Sequence, residues 1–111
     1  MGRKMNVSQD PPRLSFQGLL VLRAFTENPR KEFCGAELMK VTRLASGTLY
    51  PILLRFERYG FLSSQWEEEE PSDLQRPRRR LYRLTQSGAQ LATNSLGHLT
   101  AMPTNPVMVG A

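Results

Sequence analysis

Apolar and polar positions follow two different periods along this chain, and each change of period marks an element. Between residues 14 and 27, Leu14, Leu19, Leu22 and Phe25 share one stripe of a helix, and Phe16 and Leu20 widen it enough to meet a second partner. The Asn28-Pro29 pair closes this helix, because a residue before proline is pushed out of the helical region. A second helix is expected from about Cys34 to Thr42, with Leu38 and Val41 inward and Glu37 and Lys40 outward. After the connection Arg43-Leu44-Ala45, the stretch 45–60 places Leu49, Ile52, Leu53 and Phe56 at i, i+3, i+4 and i+7. Ser46 or Thr48 can cap its start, Pro51 fits if it lies near the first turn, and Gly60 supplies a left-handed residue to end it. Helix, tight turn and helix in this order make a helix-turn-helix.

From Phe61 onward the period drops to two. Phe61, Ser63 and Gln65 alternate with Leu62, Ser64 and Trp66, which reads as a strand. Residues 67–79 are charged and broken by Pro71 and Pro77, so a loop is expected there. Arg80, Tyr82 and Leu84 then alternate with Leu81 and Arg83 in a second strand. Two strands joined by a long charged loop directly after the helix 45–60 form a wing. Thr85 can cap a last helix reaching about residue 100, in which Ala89, Ala92, Leu96 and Leu99 make a heptad-like seam. Residues 1–13 read as a flexible basic arm ending in Asp10-Pro11-Pro12, and residues 101–111, with Pro103 and Pro106, as a loose tail. The predicted fold class is α+β, mainly α. It comprises a winged helix-turn-helix of three helices and a two-stranded wing over residues 14–84, then a C-terminal dimerisation helix over residues 85–100.

Charge sharpens this outline. A net charge of +5 and a pI near 10.0 favour a polyanion as partner. Glu67, Glu68, Glu69, Glu70 and Asp73 precede Arg76, Arg78, Arg79, Arg80 and Arg83, and no charged residue follows Arg83. Leaving the uncharged Ala89, Ala92, Leu96, Leu99 seam in water is costly at about 25 cal/mol per Å² of apolar surface. That seam, with Leu20 of the first helix, is therefore expected to hold a homodimer. The lone Cys34 excludes an internal disulfide or a cysteine-based metal site and reads as a small buried residue on a helix. His98 is given no role. No run approaches the roughly 18 apolar residues of a membrane span, and the N-terminus lacks the apolar stretch of a secretory signal. The chain is expected to be cytoplasmic and nucleoid-associated, with no membrane partner.

The candidate chemistry lies off the buried stripe of the helix 45–60. Ser46, Thr48, Tyr50, Arg55 and Arg58 leave short hydroxyls, an aromatic ring and two cations free to meet an anion, the outline of a DNA-recognition helix. Tyr50 can stack on or hydrogen-bond DNA, or pack its ring on the first helix with its hydroxyl at the surface. Arg78, Arg79 and Arg80 can grip phosphates or reach the minor groove, or can form a solvated run balancing Glu67 to Glu70. The four glutamates are expected at a solvated wing tip, away from phosphate. Trp66 is expected to pack in the core or wing, with a small-molecule cleft at the dimer centre as the other reading.

The segments Gly35-Ala36-Glu37-Leu38, Ser46-Gly47-Thr48-Leu49-Tyr50-Pro51-Ile52-Leu53, Arg55-Phe56-Glu57-Arg58-Tyr59-Gly60 and Arg79-Arg80-Leu81-Tyr82-Arg83-Leu84-Thr85-Gln86-Ser87-Gly88 together resemble the PadR family. These are bacterial winged-helix transcriptional regulators, named for repressors of phenolic acid decarboxylase genes. The resemblance covers roughly residues 14–92, in order and at the family's spacings. It implies a homodimeric DNA-binding repressor with a recognition helix and a wing on each subunit. By position, Ser46, Gly47, Thr48 and Tyr50 match the DNA-facing start of the family's recognition helix, and Arg78, Arg79 and Arg80 match the base of its wing. Many relatives carry a long helix or an effector domain at the C-terminus. This chain has about 15 residues of weak helix and a tail there, and so resembles the short subfamily.

Nothing points to an enzyme or a cofactor: there is no paired acid and base, no Gly-rich phosphate loop and no nucleophile with a nearby histidine. The leading reading is a sequence-specific regulator of transcription, a repressor. It binds a pseudo-palindromic site in double-stranded DNA as a homodimer, through the helix 45–60 and the wing 61–84. Two alternatives stay open. One is a winged-helix module whose basic patch serves an acidic protein partner. The other is a regulator that responds to a small-molecule effector in a cleft at the dimer interface.

Overall fold

Ser15 opens the first helix by accepting a hydrogen bond from the Gly18 amide at 3.0 Å. The computed structural model describes residues 14–100, with side chains for residues 14–97. The arm 1–13, the tail 101–111 and the side chain of Leu99 lie outside the described residues. Helix α1 (Phe16–Glu27) turns Val21, Leu22, Ala24 and Phe25 inward. A two-residue strand, β1 (Phe33–Cys34), leads into α2 (Gly35–Thr42). The Glu37 carboxylate reaches back to the Cys34 amide at 3.0 Å and satisfies a donor at the head of α2. The tight turn after α2 is fixed by Thr42, a buried hydroxyl with both needs met: it donates to the Leu38 carbonyl and accepts from the Leu44 amide. Arg43 takes a left-handed backbone at φ 65° there.

Helix α3 (Ser46–Arg58) follows, with Leu49, Ile52, Leu53 and Phe56 buried as the spacing predicts. It ends at Tyr59, and Gly60 at φ 82° turns the chain into the sheet. The wing consists of β2 (Leu62–Trp66), a single helical turn α4 (Pro71–Leu74), and β3 (Arg80–Leu84); helix α5 (Gln86–Thr100) completes the described chain. The wing strands pair antiparallel from Leu62 opposite Leu84 to Trp66 opposite Arg80.

The sheet has three strands in the order β1-β3-β2, where two were expected. β1 adds Phe33 opposite Tyr82 and Cys34 opposite Leu81. Two residues are too few to show a period, so only the pairing across the fold reveals them. One core joins these elements: Val21, Leu22, Phe25, Leu38, Leu49, Leu53, Phe56 and Leu62 are all essentially inaccessible, with Phe25 and Phe33 packed edge to face at 5.2 Å. Burying each such side chain contributes roughly 1.5–3 kcal/mol.

Thr85 caps α5 as expected, accepting from the Gly88 amide at 3.0 Å, and its hydroxyl also donates to the Gly60 carbonyl. Gly88 is required here, because a Cβ would run into the Phe61 carbonyl. Val41, expected inward, is 59% exposed. The inward row of α2 is Gly35, Leu38 and Thr42, and Val41 falls to one side of it, in a shallow hollow shared with Leu20 of α1. No helix among the described residues is long and apolar enough to cross a membrane.

Candidate nucleic-acid interface

The start of α3 is open to solvent. Ala45 precedes it, its carbonyl accepting from the amides of Thr48 and Leu49, and no side chain caps the helix. Ser46 and Thr48, expected as caps, therefore keep their hydroxyls free of that duty, and with Gly47 both are exposed. Pro51 is the sixth helical residue, deeper than expected. It offers no N–H to the Gly47 carbonyl, but that position is exposed and solvent can serve it.

At about 100° per residue the candidate side chains of α3 divide between two flanks. Tyr50 and Glu57, seven residues apart, lie along the flank that meets the wing; Thr48 and Arg55 lie along the other. Leu54, 51% exposed, stands between them. Sequence reading passed over Leu54, although its place off the i, i+3, i+4, i+7 stripe was a usable signal.

A cleft of about 370 Å³ opens between the head of α2, α3 and the wing, bordered by Gly35, Tyr50, Trp66, Arg79 and Arg80. The Tyr50 hydroxyl lies where a Cβ on residue 35 would stand, so the ring rests on α2 at Gly35 while remaining 44% exposed. Trp66, expected to be packed away, is 56% exposed, with the Arg80 guanidinium over its ring at 5.3 Å.

The three wing arginines have three different environments. Arg78 is bound to the Glu69 carbonyl at 2.8 Å and to the Glu70 carboxylate at 3.2 Å. Arg80 pairs with Glu57 of α3 at 3.6 Å. Arg79 has no carboxylate partner among the described residues; its guanidinium leans on the sulfur of buried Cys34 at 3.9 Å. Arg55 and Arg58 likewise enter no ion pair among the described residues, and both are exposed.

The loop that sequence leaves open is folded. Glu67 accepts from both terminal nitrogens of Arg76, at 2.7 and 3.0 Å, and from the Arg79 amide at 2.9 Å. The Glu67 amide donates to the Arg79 carbonyl, adding a rung to the ladder between β2 and β3. The Arg76 hydrogen bond, then that from the Arg79 amide, lowers the Glu67 carboxyl to about 2, and the same carboxylate raises Arg76. Glu67 is therefore part of the hairpin and not of a solvated tip, whereas Glu68, Glu69 and Glu70 are exposed. Under the wing, burial raises the phenol of Tyr82, and the charge of Glu57 adds to that.

The residues expected to join two subunits are placed unevenly. Ala92 is fully buried in the protomer's own core, and Leu96 packs partly against that core. Ala89 is half-buried, as is Leu20, which sits beside Val41 of α2. Phe16, on the outer face of α1, is the most open large apolar side chain described, at 68%. Among the described residues, no group of three His, Cys, Asp or Glu side chains is placed to hold a metal ion.

The pattern of the transcriptional regulator PadR-like family matches residues 21–94. The fold is similar to a PadR family transcription regulator from hypervirulent Clostridium difficile, with a TM-score of 0.69 and 22% identity over 85% of this chain and 97% of that one. It is similar to a Streptococcus mutans protein, with a TM-score of 0.68 and 23% identity over 91% of this chain and 95% of that one. It is also similar to MepR, a transcription regulator of the Staphylococcus aureus multidrug efflux pump MepA. There the TM-score is 0.68 and the identity 16%, over 96% of this chain and 72% of that one. At these identities the likenesses carry the winged-helix fold alone. No curated protein matches the sequence.

Proposed function

The chain belongs to the PadR-like family of transcriptional regulators, and on that premise we propose that it is a repressor that binds a pseudo-palindromic operator as a homodimer. The observation that carries this reading is the open start of α3 beside an uncommitted cation. Ser46, Gly47, Thr48 and Tyr50 are exposed on the helix, and Arg79 faces the same cleft as Tyr50 with no carboxylate in salt-bridge contact among the described residues. Ser46, Gly47 and Thr48 are short enough to let the start of the helix enter the major groove and reach base edges. Arg79 on the wing suits phosphate, which every sequence offers.

Two-fold symmetry would set two recognition helices in successive major grooves, so half-sites are expected about one helical turn, roughly 10 base pairs, apart or a multiple of that. The outer face of α1 around Phe16 and the exposed side of α5 are the surfaces we assign to the second subunit. Repression follows from occupancy, because a dimer seated across a promoter excludes other proteins from the same grooves. The test is a mobility-shift titration against the DNA upstream of the chain's own coding sequence, at two salt concentrations. Specific binding that survives the higher salt supports the reading; equal affinity for every duplex argues against it.

The cleft beside Trp66 favours a second reading, in which a small molecule regulates DNA binding. A ligand there would lie against residues of one protomer and would compete directly with DNA for Tyr50 and Arg79. Trp66 is the chain's one tryptophan, so its fluorescence in ligand titrations without DNA distinguishes the two.

A further inference from the structure

Glu57 is an acid on the helix that the proposed function turns towards phosphate, where a free carboxylate would repel the ligand. It is not free. Ser64 of β2 donates its hydroxyl to Glu57 Oε2, and Arg80 of β3 brings Nη2 to 3.6 Å of the same oxygen. Arg80 in turn lies over the Trp66 ring at 5.3 Å. One carboxylate on α3 thus reaches both long strands of the wing, and through Arg80 it reaches the exposed ring at the end of β2. The pair is partly shielded, with the Glu57 side chain 29% and the Arg80 side chain 38% exposed.

We propose that Glu57 is a positioning residue that fixes the wing relative to the recognition helix, so that both meet DNA in one register. The inference rests on the DNA-binding reading and adds to it a determinant of specificity that touches no base. Backbone continuity through Tyr59-Gly60-Phe61 and the core beneath Leu62 hold the root of the wing. Ser64, Trp66 and Arg80 lie further out along the hairpin, where a small change of angle moves Arg79 most. Arg80 makes this internal link through its pair with Glu57.

The idea is separable from simple electrostatics because the two predict opposite signs on the operator. If Glu57 acted only as a charge, Glu57→Ala would remove repulsion and release Arg80, strengthening binding to every duplex and steepening the salt slope by about one unit. A positioning role predicts that random-duplex affinity rises or holds while operator affinity falls, lowering the specificity ratio by about tenfold or more, the scale of one misplaced base contact. Glu57→Gln keeps an acceptor for Ser64 and loses the pair with Arg80, and should fall between parent and Glu57→Ala.

The experiment titrates the full-length parent, Glu57→Ala, Glu57→Gln and Ser64→Ala on the operator and on a random duplex at several salt concentrations, with thermal melts followed by circular dichroism. Ser64→Ala covers the case in which Glu57→Ala fails to fold. A parent that binds no duplex overturns the DNA-binding reading itself. A parent that binds its operator, with variants whose operator and random affinities rise together, overturns the positioning role alone. Loss of the specificity ratio in folded variants establishes it.

Discussion

Glu67 and Arg76 face each other as a two-pronged pair, carboxylate to guanidinium at 2.7 and 3.0 Å, across the root of the wing loop. The geometry is that of a planar fork on a planar acceptor, which gives direction as well as attraction. Because the same carboxylate also takes the Arg79 amide, the pair closes the loop and sets the backbone from which the Arg79 side chain projects.

This pair makes folding stability sensitive to acid in a particular window. The Glu67 carboxyl is lowered from its ordinary value of 4.5 to about 2, so its contribution is fully present above 4.5. It is lost as the pH falls from 4.5 towards about 2, where the folded state too takes up the proton. In Glu67→Gln that part of the acid dependence should vanish. Urea unfolding of parent and variant at pH 7, 4 and 3 should give curves that differ most at pH 7 and converge at the lowest pH.

Arg79 and Arg78 are neighbours in sequence with different commitments, and their loss should differ. Arg79→Ala should weaken binding to operator and random duplex alike and lower the salt slope by about one unit. Arg78→Ala should do less, since Arg78 is already held by Glu70 and the Glu69 carbonyl. Glu70→Ala, which releases Arg78, should raise affinity for random DNA. Salt-dependent anisotropy titrations of the three variants check all of this, and equal slopes for Arg78→Ala and Arg79→Ala would contradict it.

Thr48 is exposed at the open end of α3 and is free of capping duty. Thr48→Ala should cost about 1–3 kcal/mol on the operator and nothing measurable on random DNA. Its thermal melt should stay within about 0.5 kcal/mol of the parent, as for an exposed position whose side chain has no hydrogen-bond partner among the described residues. Paired titrations on the two duplexes decide the point.

Phe16 projects from α1 at 68% exposure and takes no part in the protomer's core. If α1 forms part of the subunit interface, Phe16→Asp should shift the chain towards monomer in light scattering at micromolar concentration while leaving the helical signal intact. Leu96 is a less clean probe, because it packs partly against the core of its own protomer. A Phe16→Asp protein as dimeric as the parent would exclude α1 from the interface.

Two glycines of α5 should respond to alanine with opposite signs. Gly88→Ala drives a methyl into the Phe61 carbonyl and should destabilise the fold by about 1–3 kcal/mol. Around Gly97 nothing among the described residues stands within 4 Å of a new Cβ. Gly97→Ala should therefore stabilise the helix by roughly 0.5–1 kcal/mol through reduced backbone entropy of the unfolded chain. Denaturant melts of the two single variants test the contrast.

What the sequence determined by itself were the elements whose signal is local. The stripe Leu49, Ile52, Leu53, Phe56 repeats every helical turn, so it announces α3 and its buried face without reference to any other segment. The alternation in Arg80–Leu84 and the hydroxyl of Thr85 before a helix are equally self-contained, and both are found where expected. Tertiary structure decided whatever depends on a partner distant along the chain. Phe33 and Cys34 become a strand only because Tyr82 and Leu81 lie alongside. Val41 turns out towards solvent because an eight-residue helix offers only one inward row. The largest such decision concerns charge. Arg78, Arg79 and Arg80 are equivalent letters in a row, but Glu70, the sulfur of Cys34 and Glu57 claim them in three different ways. A side chain's freedom to meet DNA depends on which acids the fold brings within about 4 Å of it, and no local pattern records that distance.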